Sequence, residues 1–158
     1  MSEEIIKNLE DLSSCFKRMN AKVKLIGLLN KAKKEYEDNK LPDCIQTCKE
    51  ILTKNPQNPT ALRGLGCVMQ SMGKNEEAIK YYMQALKTSK KKEIEYTLIG
   101  TIYYNEDKFE EAIKYYNLAI EANDDYDLAY DGKNQSMLEK HLKLLDLQDS
   151  LIKRNLFY

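Results

Sequence analysis

The sequence predicts an all-α protein built from stacked helical hairpins, and three observations lead to this fold class. The heptapeptide EEAIKYY occurs at residues 76–82 and again at 110–116, with start points 34 residues apart. Around both copies, apolar residues recur three and four positions apart, the spacing of one helix face. Six glycines and three prolines in 158 residues are few for a chain rich in loops or strands. A period of this length is typical of units that bury their apolar faces only by stacking on neighbours.

The 34-residue register extends over three units, at residues 25–58, 59–92 and 93–126. Small or medium residues recur where two helices must approach closely, and large apolar residues recur beside them. The small sets are Ala32/Gly66/Gly100, Cys44/Ala78/Ala112 and Ile51/Ala85/Ala119, and the large sets are Leu28/Leu62/Tyr96, Ile45/Ile79/Ile113 and Leu52/Leu86/Ile120. Agreement at this many positions indicates a true repeat rather than a chance duplication.

Each unit is predicted to form two helices separated by a polar or glycine-containing turn. The turns are DNKLP, MGKN and NEDK, which fall at the same phase of the three units. Pro42 suits the first turn of a helix, where its missing N–H has no partner to lose. Asn55-Pro56 is expected to end the second helix of unit one, and Asn58-Pro59 to begin unit two.

The second helices share one packing position that differs between units. Tyr82 and Tyr116 are in register, and Cys48 is the smaller residue at the equivalent position of unit one. The repeated heptapeptide lies on these second helices, so its identity reports packing. Functional differences are therefore expected on the first helices, whose sequences diverge.

Apolar stripes also flank the units, in an N-terminal helix at 1–24 and in a C-terminal helix and tail at 127–158. The N-terminal stripe alternates steps of three and four, as in a coiled coil. It consists of Ile5, Leu9, Leu12, Phe16, Met19 and Val23, and the C-terminal one of Met137, Leu138, Leu142, Leu144, Leu145, Leu151 and Ile152. Because end units otherwise expose their stacking faces, both segments are expected to cap the array. The alternative for the N-terminal helix is homodimerisation, and the end SLIKRNLFY is either a free tail or folded back.

Two segments resemble the tetratricopeptide repeat family: LRGLGCVMQSMGKNEEAIKYYMQAL and YTLIGTIYYNEDKFEEAIKYYNLAI. They place an aromatic or leucine, Leu-Gly, alanine and a second aromatic at the offsets of that family's motif. Unit one departs from the motif at Ala32 and Cys44 but keeps Pro56 at the helix end. The resemblance covers residues 25–126 and implies a right-handed superhelical solenoid of three helix-turn-helix units. It also implies a non-catalytic protein that binds a peptide or a partner helix in a concave groove, as a scaffold or adaptor.

In such an array the first helix of each unit lines the concave face. The candidate groove residues are Leu29, Lys33, Tyr36, Arg63, Cys67, Gln70, Thr97, Thr101, Tyr104 and Asn105. Tyr36 and Tyr104 are expected to serve as anchors for the partner, with Lys33 and Arg63 as charge contacts. The alternative is an inner face that is merely solvated.

Some family members clamp the C-terminal carboxylate of heat-shock chaperones with lysine, asparagine and arginine side chains. The matching positions here hold Leu29, Lys33, Gly64, Ile94 and Leu98, and none is the residue expected at its position. The sequence therefore argues against binding of that carboxylate.

A second branch of the family comprises secretion chaperones for translocator proteins. They are similar to this chain in size, in having three repeats and in dimerising through an N-terminal helical region. They tend to be acidic, whereas here 25 Lys+Arg balance 25 Asp+Glu. A cytoplasmic chaperone that binds its client as a homodimer is accordingly the alternative to the scaffold or adaptor.

The remaining residues favour neither catalysis nor a cofactor. His141 is the single histidine and lies near the apolar stripe of the C-terminal helix, where a packed or half-exposed side chain is expected rather than a catalytic base. Cys44 and Cys48 share a helix face but lie at packing positions, and no third metal ligand is evident. The neutral charge argues against nucleic acid, and the sequence has no apolar run long enough to span a membrane. Four cysteines without a disulfide framework fit the reducing cytoplasm.

Overall fold

The computed structural model describes the backbone of residues 3–156 and the side chains of 10, 11 and 13–154, and within these ranges all regular secondary structure is α-helical. The helices are α1 (Glu3–Glu37), α2 (Leu41–Lys54), α3 (Pro59–Ser71), α4 (Asn75–Leu86), α5 (Lys92–Asn105), α6 (Phe109–Ala122) and α7 (Asp127–Leu156). The all-α class predicted from the sequence is confirmed.

The helices pack as consecutive helix-turn-helix units. The most extensive contacts join α1 to α2, α3 to α4 and α5 to α6, and α7 packs on α6. The first helices also touch one another, α1 with α3 and α5 with α7. Successive units are joined because the second helix of one contacts the first helix of the next, α2 with α3 and α4 with α5.

The turns inside the three units repeat the same backbone conformation. Asn39, Gly73 and Asp107 have positive φ angles of 57°, 73° and 61°, and they are spaced by the 34-residue period. Glycine, asparagine and aspartate are the residues that adopt this left-handed conformation most readily. Each predicted turn therefore contains a residue suited to reverse the chain at the same point of the unit.

The helix starts predicted around proline are present. Pro42 lies in the first turn of α2. Asn58 caps α3, because its side-chain oxygen accepts a hydrogen bond of 2.9 Å from the backbone N–H of Ala61. This bond satisfies one of the N–H groups that a helix leaves unpaired at its start.

Glycines on the first helices make room for tyrosine rings on the second. A Cβ atom placed on Gly66 would lie 2.4 Å from the ring of Tyr82, and one on Gly100 would lie 3.0 Å from the ring of Tyr116. Gly132 of α7 approaches Tyr116 from the other side, at 2.4 Å. Both rings are buried; the Tyr116 ring is held between glycines of two helices, and the Tyr82 ring packs against Gly66.

The equivalent small positions form the core of the array. Cys44, Ala78 and Ala112 are buried, as are Ile51, Ala85 and Ala119. The register read from the sequence thus coincides with burial in all three units.

The N-terminal segment does not fold over the end of the array. Helix α1 continues through residues 24 and 25 without a break, and Phe16, Met19 and Val23 are exposed, by 60%, 53% and 63%. The side chains of Ile5, Leu9 and Leu12 lie outside the described residues. The expectation of a cap therefore does not match the course of α1. The helix continues without turning back onto unit one, and its apolar stripe is exposed.

The C-terminal helix divides into two parts. Its first half packs on α6, with Ala129 and Ser136 buried and Lys140 paired with Glu110 at 3.0 Å. The described side chains from His141 onward are exposed. Lys143 pairs with Asp107 at 3.0 Å and its ammonium lies 4.8 Å from the centre of the Phe109 ring, so α7 contacts the array at least as far as this residue. The last residues of the predicted tail, 157 and 158, lie outside the described residues.

Helices long enough to cross a bilayer are present, but none in the described part of the chain is also sufficiently apolar to do so.

Candidate partner-binding groove

The surface formed by the first helices, called the groove from here on, contains a pocket of about 410 Å³ between α1 and α3. Predicted groove residues on its walls are Leu29, Lys33, Tyr36, Arg63 and Cys67. This first pocket also has lining residues that were not predicted as site residues: Asn30, Ala32, Cys44, Cys48, Thr60, Ala61 and Gly64. Most of these are small, and they form its floor and sides.

A second pocket of about 390 Å³ lies between α5 and α7. Its predicted residues are Thr97, Thr101, Tyr104 and Asn105. The rest of its lining is Ile94, Leu98, Tyr116, Tyr126, Leu128, Gly132 and Gln135, so no lining residue carries a charge. The structure therefore gathers every predicted groove residue except Gln70 into two pockets at equivalent faces of the repeat.

Gln70 has a packing role in this structure. Its Oε1 accepts a hydrogen bond of 2.9 Å from the hydroxyl of Tyr82, which also lies 3.5 Å from Cys67 Sγ. Tyr82 is fully buried, and burial is the main reason that the pKa of its hydroxyl is raised. Gln70 thus satisfies a buried donor, which explains its place outside both pockets.

Arg63 was expected to offer its charge to a partner, but the structure shows it engaged within the chain. Its guanidinium contacts Glu95 Oε1 through Nε at 2.8 Å and through the terminal nitrogen at 2.7 Å. The Glu95 side chain is 0% exposed and that of Arg63 is 23% exposed. Arg63 therefore neutralises a buried carboxylate and links α3 to α5 across the groove.

Glu95 is the residue that sequence reasoning missed. Its equivalents in the register are Gly27, Ala61 and Ala129, and the two alanines are buried. A glutamate at a position otherwise held by small residues was the available signal. The other carboxylate oxygen, Oε2, has no hydrogen-bond partner within the described part of the chain.

Lys33 and Tyr36 border the first pocket at the end of α1. Lys33 lies 3.6 Å from Glu37, and both side chains are largely exposed, so this pair constrains Lys33 weakly. The Tyr36 hydroxyl is 2.9 Å from Ser71 Oγ on α3. Lys33 is thus the cation of this pocket that remains available to a ligand.

Three thiols, those of Cys44, Cys48 and Cys67, line the first pocket. Burial raises the pKa of Cys44 and of Cys67, and it raises the pKa of Cys48 to about 12. The thiols are therefore protonated at neutral pH and are poor nucleophiles and metal ligands. No group of three or more His, Cys, Asp or Glu side chains positioned for a metal ion occurs among the described residues.

Five of the residues that line the second pocket carry hydroxyl groups. Thr101 Oγ1 donates to the carbonyl of Thr97 at 2.9 Å and lies 3.2 Å from the hydroxyl of Tyr116. Tyr104 packs against Phe109, with ring centroids 5.8 Å apart. The second pocket is thus lined by uncharged residues, whereas the lining of the first pocket includes three thiols and two cationic side chains.

A tetratricopeptide repeat model matches residues 64–92 and 96–126. The chain contains tetratricopeptide repeats. Unit one lies outside the matched segments, consistent with its departures at Ala32 and Cys44.

Solved tetratricopeptide repeat domains share the fold. The Sgt2 domain of Aspergillus fumigatus has a TM-score of 0.66 at 17% identity, covering 75% of this chain and 80% of that one. The first domain of Spaghetti (RPAP3), bound to the HSP90 peptide SRMEEVD, has 0.64 at 18%, covering 72% and 90%. The type III secretion chaperone SycD of Yersinia enterocolitica, in complex with a peptide of the translocator YopD, has 0.65 at 19%, covering 73% and 94%. No curated protein matches the chain.

Proposed function

We propose that this protein is a non-catalytic scaffold or adaptor that binds a peptide or partner helix in its groove. The observation that carries the proposal is the pair of pockets, whose lining residues occupy equivalent faces of successive first helices. Two concave sites on one face suit a ligand that engages both. Protein-binding domains of the same fold hold peptides in the Spaghetti and SycD structures.

The expected ligand is not the carboxylate tail of a heat-shock chaperone. In the first pocket the clamp positions hold Leu29, Lys33 and Gly64, and in the second they hold Ile94 and Leu98. The second pocket has no charged lining residue, so it offers a carboxylate no cation. A ligand with apolar and uncharged polar side chains fits this half of the groove better.

The chemistry of the site also supports binding rather than turnover. The pocket thiols are protonated at neutral pH because of their burial. The four cysteines are free thiols, which fits a protein of the reducing cytoplasm. We accordingly propose that the protein works without a cofactor and binds neither nucleic acid nor membrane.

Selection from a displayed library of random dodecapeptides tests the proposal. Peptides that the wild type enriches are synthesised and titrated by fluorescence polarisation against Tyr36→Asp and Leu128→Asp. These residues line the first and second pockets and are exposed, so the array should remain folded. We expect each substitution to raise the Kd at least fivefold.

Tyr130→Asp is the matched control, because Tyr130 is an exposed tyrosine that lines neither pocket. Circular dichroism melts establish that all three variants are folded. If the selected peptides bound all three like wild type, the groove would not be their binding site.

A second candidate function is a chaperone that binds its client as a homodimer. The exposed residues Phe16, Met19 and Val23 on α1 favour it, because their three-four spacing suits a paired helix. The fold shared with the secretion chaperone SycD supports it as well.

Sedimentation velocity distinguishes the two candidates. The homodimer predicts that Phe16→Glu with Val23→Glu converts a dimer to a monomer. Leu147→Glu, at an exposed residue of α7, should leave the dimer intact. A monomeric wild type at 50 µM or more, a concentration chosen to reveal dimers of about 10 µM affinity, would eliminate the homodimer and leave the adaptor.

A further inference from the structure

We propose that the first pocket receives an aromatic side chain, flanked by acidic residues, from the bound partner. The inference rests on the proposed function, because it describes the ligand of the same groove. Units two and three each have a tyrosine ring at a position where unit one has none.

The three units provide the same site with different occupants. In unit two the ring of Tyr82 is packed against Gly66, and in unit three that of Tyr116 is packed against Gly100. The unit-one equivalent of both tyrosines is Cys48. It carries a single sulfur in place of a phenol ring, and the first pocket lies beside it.

The walls of this site in unit one are also built from small residues. Ala32 replaces Gly66, and Gly64 lies where α5 has Leu98. A Cβ atom on Gly64 would be 3.0 Å from Cys48 Sγ, so the glycine side of the pocket is open only because it lacks a side chain. The first pocket has a volume of about 410 Å³, which exceeds the roughly 150 Å³ of a cavity known to hold benzene.

The lining chemistry favours an aromatic ring over an aliphatic chain. Cys44, Cys48 and Cys67 place three sulfur atoms around the pocket, and sulfur makes favourable contacts with aromatic rings. Lys33 and Arg63 line the same pocket, and cations are attracted to the faces of such rings.

Residues at the entrance of the first pocket indicate which side chains of the ligand lie next to its aromatic ring. The hydroxyl of Tyr82 is met by Gln70 and Cys67, and the unit-one equivalents of these residues are Tyr36 and Lys33. No acidic residue lines the pocket, and the Lys33 ammonium has only an exposed partner at 3.6 Å. A neighbouring carboxylate of the ligand would complement this charge.

A set of defined pentapeptides tests the proposal by fluorescence polarisation on the wild-type protein. The first has phenylalanine between two pairs of glutamates, the second has alanine instead, and the third has cyclohexylalanine. We expect the phenylalanine peptide to bind at least tenfold more tightly than the alanine peptide and at least threefold more tightly than the cyclohexylalanine peptide. A fourth peptide with lysines in place of the glutamates should bind at least fivefold more weakly.

A variant that supplies the ring from the chain itself provides the second arm. Ala32→Gly combined with Cys48→Tyr recreates the pair Gly66 and Tyr82 of unit two. It should abolish at least nine-tenths of the phenylalanine-dependent gain, while Ala32→Gly alone, which leaves the pocket open, should retain it. If the double variant does not fold, the comparison of peptides on the wild type still decides the question.

Equal binding of the phenylalanine and alanine peptides would overturn the inference, as would absence of binding by either. Equal affinity for phenylalanine and cyclohexylalanine would overturn its aromatic element. Library peptides that depend on Tyr36 and Leu128 but show no aromatic requirement would sink this inference and leave the proposed function standing. Library peptides insensitive to both pockets would remove the proposed function itself.

Discussion

Gly66 and Gly27 occupy interior positions of helices, but their surroundings are opposite. A Cβ atom on Gly66 would collide with the Tyr82 ring at 2.4 Å, whereas one on Gly27 would meet nothing within 4 Å. The register explains the difference. The equivalents of Gly27, such as Ala61 and Ala129, are buried between helices, whereas no described side chain or neighbouring helix lies within 4 Å of a Cβ on Gly27.

Alanine substitutions at these two glycines should therefore change stability in opposite directions. We expect Gly66→Ala to lower the free energy of unfolding by about 1–3 kcal/mol, because the buried ring of Tyr82 must move. Gly27→Ala should raise it by up to about 1 kcal/mol, the propensity gain of an open helical site. Urea unfolding of both variants measures the two values. Destabilisation by Gly27→Ala as large as that by Gly66→Ala would contradict the packing described here.

The Cys48 thiol makes stability sensitive to alkaline pH. Burial raises its pKa from 9.0 to about 12, so between these values the unfolded chain loses this proton while the folded chain keeps it. The stabilisation is complete below pH 9 and is lost as the pH rises toward 12. We expect Cys48→Ala to lose less unfolding free energy than wild type between pH 8 and 10.5. Cys15→Ala, at an exposed thiol, serves as control and should follow the wild-type profile.

At the scale of elements, the Arg63–Glu95 pair joins α3 to α5 and predicts an asymmetry. Arg63→Ala leaves a carboxylate that is 0% exposed without its cation, whereas Glu95→Ala leaves a guanidinium that is 23% exposed and can reach water. We expect the first substitution to cost roughly 3 kcal/mol of unfolding free energy and the second less than half as much.

The double variant completes this thermodynamic cycle. Glu95→Ala restores the alanine that Ala61 and Ala129 provide at the equivalent positions, so adding it to Arg63→Ala should recover most of the lost stability. Chemical denaturation of the four proteins measures the coupling. Additive losses in the double variant would show that the pair is not the source of the effect.

Much of the helical organisation was predictable because it depends on local spacing. The turns at Asn39, Gly73 and Asp107 need residues that accept positive φ, and such residues recur visibly in the sequence. The pairing of Glu95 with Arg63 was not predictable, because the two residues lie on different helices and the sequence signals only a glutamate at a position otherwise held by small residues. Gln70 lies outside both pockets, and only the structure shows the buried Tyr82 hydroxyl from which it accepts a hydrogen bond.

The course of α1 was unpredictable for a related reason. Residues 24 and 25 carry no helix-ending signal, and a helix with an apolar stripe can either turn back as a cap or continue. Its stripe is equally compatible with both, so the choice depends on tertiary packing that spacing alone does not encode. The same holds for α7, whose contacts with the array reach Lys143 while its later described side chains are exposed.

At the scale of the whole molecule, the two parts of α7 should contribute unequally to stability. Deleting residues 146–158 removes only exposed side chains from the part that is described, and we expect a change within about 0.5 kcal/mol. Deleting residues 131–158 removes Gly132 from the ring of Tyr116 and uncovers the end of the array. That deletion should cost more than about 2 kcal/mol. Thermal and urea unfolding of both truncations measure the difference, and equal losses would mean that the second half of α7 also supports the fold.

Because α1 is unbroken, one helix carries both the exposed stripe of Phe16, Met19 and Val23 and a wall of the first pocket. A helix of 35 residues is about 50 Å long. Lys33 and Tyr36 lie near its C-terminal end, and Phe16 and Met19 lie nearer its N-terminal end. A molecule that bound the stripe and changed the orientation of α1 would therefore also move a wall of the first pocket. By thermodynamic reciprocity, a ligand that reorients this wall changes the affinity at the stripe by the same factor. Binding at the stripe would then be detectable as a change in the affinity of the first pocket, and binding in the pocket as a change in affinity at the stripe.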